Sequence, residues 1–137
     1  MGKIQAANDA MICGVLIESR QGVENVEDIV AVEGVDLVWV GFIDLSLSMG
    51  IPGQYHHPEF ERALSRIVKV CNAHKKPAGI LSNDPEQAKN YVQQGFHCIC
   101  YGGEVWLLQR ALSEGIQSIR RARVSGDRLK TGGGVNN

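Results

Sequence analysis

The sequence predicts an α/β fold of four consecutive βα units, equivalent to half of a (β/α)8 TIM-type barrel. A short apolar run, a polar turn and an amphipathic helix follow one another four times along the chain. The runs are apolar on both faces, which is typical of parallel strands covered by helices. A complete barrel takes about 250 residues, whereas this chain has 137. The four units therefore either form a small open α/β layer or meet a second half to close a barrel.

The first two units occupy the first half of the chain. An apolar run over residues 11–17 predicts a strand, and valines and isoleucine at helical spacing predict a helix over residues 23–32 that Gly34 stops. The second strand is Leu37–Val40, continued by Gly41 to Asp44. Gly50, Pro52 and Gly53 then indicate a long loop over residues 45–57.

The helix of the second unit begins at Pro58, which suits the first turn of a helix. A strand is predicted over residues 77–81, followed by a helix that Asp84 caps and Gly95 ends. The fourth strand covers residues 96–101, and its helix covers residues 104–123. The predicted buried side of that helix is formed by Val105, Leu108, Leu112, Ile116 and Ile119. Residues 1–124 thus form the half-barrel, and residues 125–137 a flexible polar tail.

Composition and charge exclude several classes of partner. Fourteen basic residues against 15 acidic ones give a net charge of −1, so there is no overall electrostatic reason to expect nucleic acid or an anionic membrane. No apolar run reaches the roughly 20 residues that cross a bilayer, and no secretory signal pattern begins the chain. Four irregularly spaced cysteines form no disulfide framework. We therefore expect a cytoplasmic protein.

Two carboxylates follow the first two predicted strands. Glu18 comes directly after an apolar run, and Asp44 follows the second strand. In parallel βα folds the working residues lie at the carboxyl ends of the strands. Two carboxylates that converge there need a compensating cation, and oxygen ligands favour a hard ion such as Mg²⁺ or Mn²⁺. On spacing alone, a surface loop acid or a helix cap is the favoured interpretation of each carboxylate.

Several motifs resemble the class II pyruvate aldolases of the HpcH/HpaI family, which includes 4-hydroxy-2-oxoheptanedioate aldolase and the 2-keto-3-deoxy-sugar-acid aldolases. The similarity covers about residues 11–120, in order and in spacing. It is carried by Leu16-Ile17-Glu18-Ser19, Val32-Glu33-Gly34-Val35-Asp36, Val40-Gly41-Phe42-Ile43-Asp44-Leu45-Ser46, Ser48-Met49-Gly50, Pro52-Gly53, Pro58-Glu59, Gly79-Ile80-Leu81 and Tyr101-Gly102-Gly103-Glu104. The chain is similar to the C-terminal half of such an enzyme.

The resemblance implies a metal-dependent aldolase that cleaves 4-hydroxy-2-oxo acids to pyruvate and an aldehyde. It implies that Glu18 and Asp44 are the protein ligands of a divalent cation, with Mg²⁺, Mn²⁺ and Co²⁺ as the candidates. It also implies that backbone amides of the segment Gly41, Phe42, Ile43 and Asp44 hold the pyruvate carboxylate. The cation would stabilise the enolate that forms when the C3 proton leaves.

The chain also departs from the family pattern. Leu16 stands where the family has glutamine, and Phe42-Ile43 replaces a proline and a small residue before the aspartate. The family's catalytic histidine and pyruvate-binding arginine belong to the N-terminal half, so no catalytic residue is identified here. His56 and His57 are read as loop or capping residues. The open alternatives are an aldolase completed by a partner half-barrel or a homo-oligomer, a noncatalytic half-barrel that keeps the metal ligands, and a truncated gene product.

Overall fold

The computed structural model describes the backbone of residues 2–131 and the side chains of residues 6–122. The chain divides into one compact unit that ends at Tyr101 and a second that begins at Gly102. In chain order the elements are α1 Gly2–Asp9, β1 Gly14–Ile17, α2 Arg20–Glu24, α3 Val26–Ala31, β2 Leu37–Val40, α4 Phe42–Ser48, α5 Pro58–Ala73, β3 Ala78–Ser82, α6 Pro85–Gln94, β4 Cys98–Tyr101 and α7 Glu104–Thr131.

The four strands form one parallel sheet in the order β1-β2-β3-β4. Ile17 pairs with Val40, Val40 with Ile80, and Ile80 with Ile99, so the carboxyl ends of the strands meet at one edge of the sheet. The predicted α/β fold with a parallel sheet is therefore confirmed. The second strand has the predicted bounds, and the other three begin one to three residues later than expected.

Within the first unit, the core lies between the sheet and the helices on one of its faces. Strand side chains such as Ile17, Val38 and Ile80 are buried there, together with Val26 and Phe60 from the helices. Helices α5 and α6 contact the sheet directly, and α2 and α3 contact α5. Right-handed crossovers between strands in sequential order place every crossover helix on the same side of a sheet.

The opposite face of the sheet is apolar and only partly covered. Leu16, Trp39, Gly79 and Cys98 form one row across it by register. The side chain of Leu16 is 51% exposed, and Cys100, farther along β4, is also exposed. The Trp39 ring lies over Gly79, where it occupies the space that a side chain would need. Within the described residues of the first unit, the contacts between helices and sheet thus lie on the face opposite this row.

The loop predicted over residues 45–57 is wrong at its start, because residues 42–48 form α4. Leu45 and Ser46 are buried. The Ser46 hydroxyl donates to the Ile43 carbonyl at 2.7 Å and accepts from the Gly53 amide at 3.1 Å, which ties the helix to the turn behind it. Glycine and proline at residues 50–53 mark that turn only, and the helix precedes it.

The first predicted helix is two short helices, α2 and α3, which meet at Asn25. Pro58 opens α5 as predicted. Asp84 caps α6 by accepting from the Gln87 amide at 2.8 Å, and Gly95 ends it with φ of 99°.

The last helix differs from the prediction in two respects. It continues to Thr131 rather than ending near Arg123, so residues 125–131 of the predicted tail are helical, and residues 132–137 lie outside the described residues. Its predicted buried side is exposed, from 48% at Ile116 to 73% at Ile119. Helix α1 was not predicted. Among the described residues, no helix has the length and apolar character needed to cross a membrane.

Cys71 provides a chemical test of the core. Its side chain is fully buried on α5, and this burial raises the pKa of the thiol to about 11 from its usual 9.0. We expect iodoacetamide at pH 8 to label the exposed Cys13 and Cys100 rapidly and Cys71 only after unfolding. Because the folded pKa is raised, the contribution of Cys71 to stability is complete below pH 9 and is lost as the pH rises toward 11. Rapid labelling of Cys71 in the folded protein, followed by mass spectrometry, would contradict this packing.

Candidate functional site

The two candidate ligands lie at the carboxyl edge of β1 and β2. Ile17 pairs with Val40, and the Gly41 amide donates to the Ile17 carbonyl at 3.0 Å, so Glu18 lies beside Gly41. A β-carbon added to Gly41 would be 2.9 Å from the Glu18 β-carbon and 3.2 Å from its Oε2 atom. The missing side chain of Gly41 therefore makes room for the Glu18 carboxylate at the start of α4.

Asp44 is placed by that same helix. Gly41 is the N-cap of α4, and Asp44 lies in the first turn, where a negative charge complements the helix dipole. Asp44 is exposed, as is Glu18, so both carboxylates can take further ligands from solvent. Ser48 lies four residues after Asp44 and therefore on the same face of the helix.

Arg20 joins the segment after Glu18 to helix α4. Its backbone amide donates to the Ser48 hydroxyl at 3.1 Å, and its Nη2 atom donates to the Met49 carbonyl at 3.1 Å. The same Nη2 atom lies 3.5 Å from a carboxylate oxygen of Glu59. Ser19 caps α2 by accepting from the Gly22 amide at 3.0 Å. The segment after Glu18 is therefore held by its bonds to the end of α4 and by the cap of α2.

The predicted substrate-binding segment, Gly41 to Asp44, divides by role. The Gly41 amide is already bonded to Ile17, whereas the first amides within a helix have no acceptor in the helix itself. The Phe42 ring packs edge-on against Tyr55 at 5.1 Å between centroids, on the side of the core. The Ile43 side chain is 48% exposed, at the edge where Glu18 and Asp44 lie.

Two further polar residues, Ser82 at the end of β3 and His57 before α5, have structural roles. The buried Ser82 hydroxyl donates to the Asp84 carbonyl at 2.8 Å and accepts from the Asp84 amide at 3.2 Å. His57 caps α5, since its Nδ1 atom accepts from the Glu59 amide at 3.2 Å. The capping role expected for His57 is therefore confirmed.

The carboxyl edge of β1 and β2 offers two carboxylates, those of Glu18 and Asp44, as possible ligands of a cation. In the part of the chain that the structure describes, no three histidine, cysteine, aspartate or glutamate side chains converge on one point. A cation held by Glu18 and Asp44 would take its remaining ligands from water, substrate or another polypeptide, as Mg²⁺ commonly does. A cavity of about 230 Å³ is lined by Arg20, Glu59 and Arg66, and neither acid is among its lining residues.

The close approach at Gly41 can be tested by adding a methyl group. Gly41 has φ of −82°, so alanine meets no backbone strain there. We expect Gly41→Ala to displace Glu18 and to lower the free energy of unfolding by about 1–3 kcal/mol, as overpacking does. Gly14→Ala on β1 is the matched control, because its nearest contact is an ordinary 3.5 Å to Leu37. Equal urea-unfolding midpoints for the two variants would show that Glu18 does not occupy this position.

Comparison with known proteins places this chain in a family. The profile described as HpcH/HpaI aldolase/citrate lyase matches residues 2–111, which begins earlier and ends earlier than the resemblance over residues 11–120. The 5-keto-4-deoxy-D-glucarate aldolase of Shigella boydii is 38% identical over 97 residues, which are 71% of this chain and 38% of that enzyme.

Two solved structures show the same fold. A HpcH/HpaI aldolase/citrate lyase family protein from Burkholderia cenocepacia is 34% identical with a TM-score of 0.82, over 85% of this chain and 46% of that one. The citrate lyase beta subunit of M. tuberculosis, described as complexed with oxaloacetate and magnesium, is 18% identical with a TM-score of 0.55, over 72% and 50% of the two chains. The chain spans at most half the length of each of these relatives. The chain belongs to the HpcH/HpaI aldolase/citrate lyase family.

Proposed function

We propose that this chain is the metal-binding half of an aldolase that cleaves 4-hydroxy-2-oxo acids to pyruvate and an aldehyde. The observation that carries the proposal is the position of the Glu18 carboxylate over Gly41, at the start of the helix that bears Asp44. The family membership supports a carbon–carbon lyase. The relative from Shigella boydii, whose name gives 5-keto-4-deoxy-D-glucarate as its substrate, supports a sugar-derived 2-oxo acid.

The donor set fits a hard divalent cation. Glu18 and Asp44 supply oxygen ligands only, and both are exposed at one edge of the sheet. Mg²⁺, Mn²⁺ and Co²⁺ are the candidates, and one relative with this fold is described as a magnesium complex. When bound, such a cation supplies Lewis-acid stabilisation of the negative charge that develops on the 2-oxo acid.

The residues of this chain would bind and orient the substrate. The amides of Phe42, Ile43 and Asp44 belong to the first turn of α4, where the helix dipole would favour the carboxylate of a 2-oxo acid. The exposed Ile43 side chain, which precedes Asp44 in the same turn, would limit the size of the group attached to the reacting carbon. We assign no proton-transfer residue to this half.

The proposed enzyme is completed by a second half-barrel. The apolar sheet face around Leu16 and Trp39 is partly open, and the edge strands β1 and β4 each have one neighbour in the sheet. The relatives are at least twice as long as the part that this chain matches. A complementary half-barrel would cover that face and pair with both edges, which exposed parallel edges favour. The exposed apolar side of α7 supports a homo-oligomer in addition.

A noncatalytic half-barrel is the alternative function. It is favoured by the partly open sheet face, which suits a binding or assembly module. Such a module would bind a cation through Glu18 and Asp44 without turnover. A truncated gene product would be expected to aggregate through the open face.

The test measures pyruvate release from 4-hydroxy-2-oxo acids, with this chain alone and with a polypeptide that carries the first half of a family aldolase. We expect release in the presence of Mg²⁺, Mn²⁺ or Co²⁺ once the two halves are combined. Glu18→Gln and Asp44→Asn should each lower kcat/KM by about 100-fold or more, because a bound cation contributes several kcal/mol to the transition state.

The matched control is Glu33→Gln. Glu33 is an exposed acid in the turn before β2, at the opposite edge of the sheet. This variant should retain wild-type kcat/KM. Metal-independent turnover, or equal losses in Glu33→Gln and Glu18→Gln, would overturn the assignment of a metal-dependent aldolase with Glu18 as a ligand. Cation binding that depends on Glu18 but gives no turnover with the second half would establish the noncatalytic module.

A further inference from the structure

We propose that Arg20 is a positioning residue that fixes the spacing between the two proposed metal ligands. The inference rests on the proposed function, since it concerns the geometry of the same site. Glu18 belongs to the segment after β1, and Asp44 to a separate helix that follows β2. The register of β1 and β2 sets where the two segments start. The register does not determine where each carboxylate lies beyond the end of its strand.

Arg20 spans the gap between those two segments. Its amide donates to the Ser48 hydroxyl at 3.1 Å, and its guanidinium donates to the Met49 carbonyl at 3.1 Å. Ser48 is the last residue of α4, and Met49 is the residue that caps it. Because Ser48 and Asp44 are four residues apart, they share one face of the helix. The segment that carries Glu18 is therefore attached to the helix face that carries Asp44.

The contacts of Arg20 differ in their expected importance. The ion pair with Glu59 has a separation of 3.5 Å between side chains that are 49% and 41% exposed, and pairs of this kind contribute little. The bond to the Met49 carbonyl depends more strongly on the identity of the side chain, because the planar guanidinium is a rigid donor that a lysine ammonium does not fully reproduce. We therefore assign the positioning effect to the contact with the end of α4.

Arg66 offers a matched comparison elsewhere in the same unit. Its Nε atom donates to the Val23 carbonyl at 3.0 Å, and its Nη2 atom donates to the Glu24 carbonyl at 3.1 Å. These bonds join α5 to the end of α2. Arg66 thus makes the same type of contact between segments, but it does not connect the segment of Glu18 to the helix of Asp44.

The experiment titrates the full chain with Mn²⁺ and measures free Mn²⁺ by electron paramagnetic resonance, so that no turnover is needed. We expect Arg20→Ala to raise the Kd about tenfold, the range found when groups that orient metal ligands are removed. Arg20→Lys should recover part of the affinity, whereas Glu59→Gln and Arg66→Ala should bind as wild type. Thermal unfolding identifies the variants that remain folded, and Arg20→Lys provides the comparison if Arg20→Ala does not.

The outcomes separate the two proposals. Mn²⁺ binding in the wild type that Glu18→Gln does not weaken would overturn the proposed metal site and this inference together. Glu18-dependent binding that is equal in wild type, Arg20→Ala and Arg20→Lys would overturn the role of Arg20 and leave the metal site standing. An equal loss in Arg66→Ala and Arg20→Ala would also overturn it, because general loosening of the unit would then explain the effect.

Discussion

The parallel register of β1 and β2 is the constraint on which the candidate site depends. Pairing of Ile17 with Val40 places Glu18 beside Gly41, and the missing side chain of Gly41 leaves space for the carboxylate. A slip of one residue would turn Glu18 toward the helical side of the sheet, since successive side chains point to opposite faces. A slip would also expose the apolar side chains of the buried row Ile17, Val40 and Ile80, so burial of this row opposes it. The hydrophobic core thus sets the position of an exposed acid.

The one-sided packing of the sheet links the fold to the proposed function. In the first unit, α5 and α6 contact the sheet and α2 and α3 contact α5, as expected when right-handed crossovers join strands in sequential order. The other face carries apolar side chains and, at its carboxyl edge, the proposed metal ligand Glu18. In a closed barrel this face would be the interior, which is filled with side chains. A second half would therefore complete both the core and the mouth of the site.

Much of the architecture could be predicted from the sequence, because local patterns determine it. Apolar runs and amphipathic periodicity gave the four βα units, and capping chemistry located Pro58, Asp84 and Gly95. Helix α4 was missed because glycine and proline after Met49 suggested one long loop, whereas burial of Leu45 stabilises a helix before them. The exposed side of α7 was misjudged because periodicity indicates an apolar face and does not show what covers it.

The candidate site, like the fold, could be predicted from the sequence only in part. The family motifs identified Glu18 and Asp44, and their pairing as metal ligands stays a prediction. The roles of Gly41 and Arg20 depend on contacts between segments that are distant along the chain. The Arg20 amide bonds to a hydroxyl 28 residues away, which no local pattern indicates. Had α4 been predicted, the helical spacing of Asp44 and Ser48 would have shown that they share a face.

The most direct test of the account is a crystal structure of the chain with Mn²⁺, in which anomalous scattering locates the ion. The account predicts one manganese ion at the carboxyl edge of β1 and β2, within about 2.5 Å of a carboxylate oxygen from each of Glu18 and Asp44. Manganese bound at other residues, or two carboxylates that point away from each other with no ion between them, would contradict it.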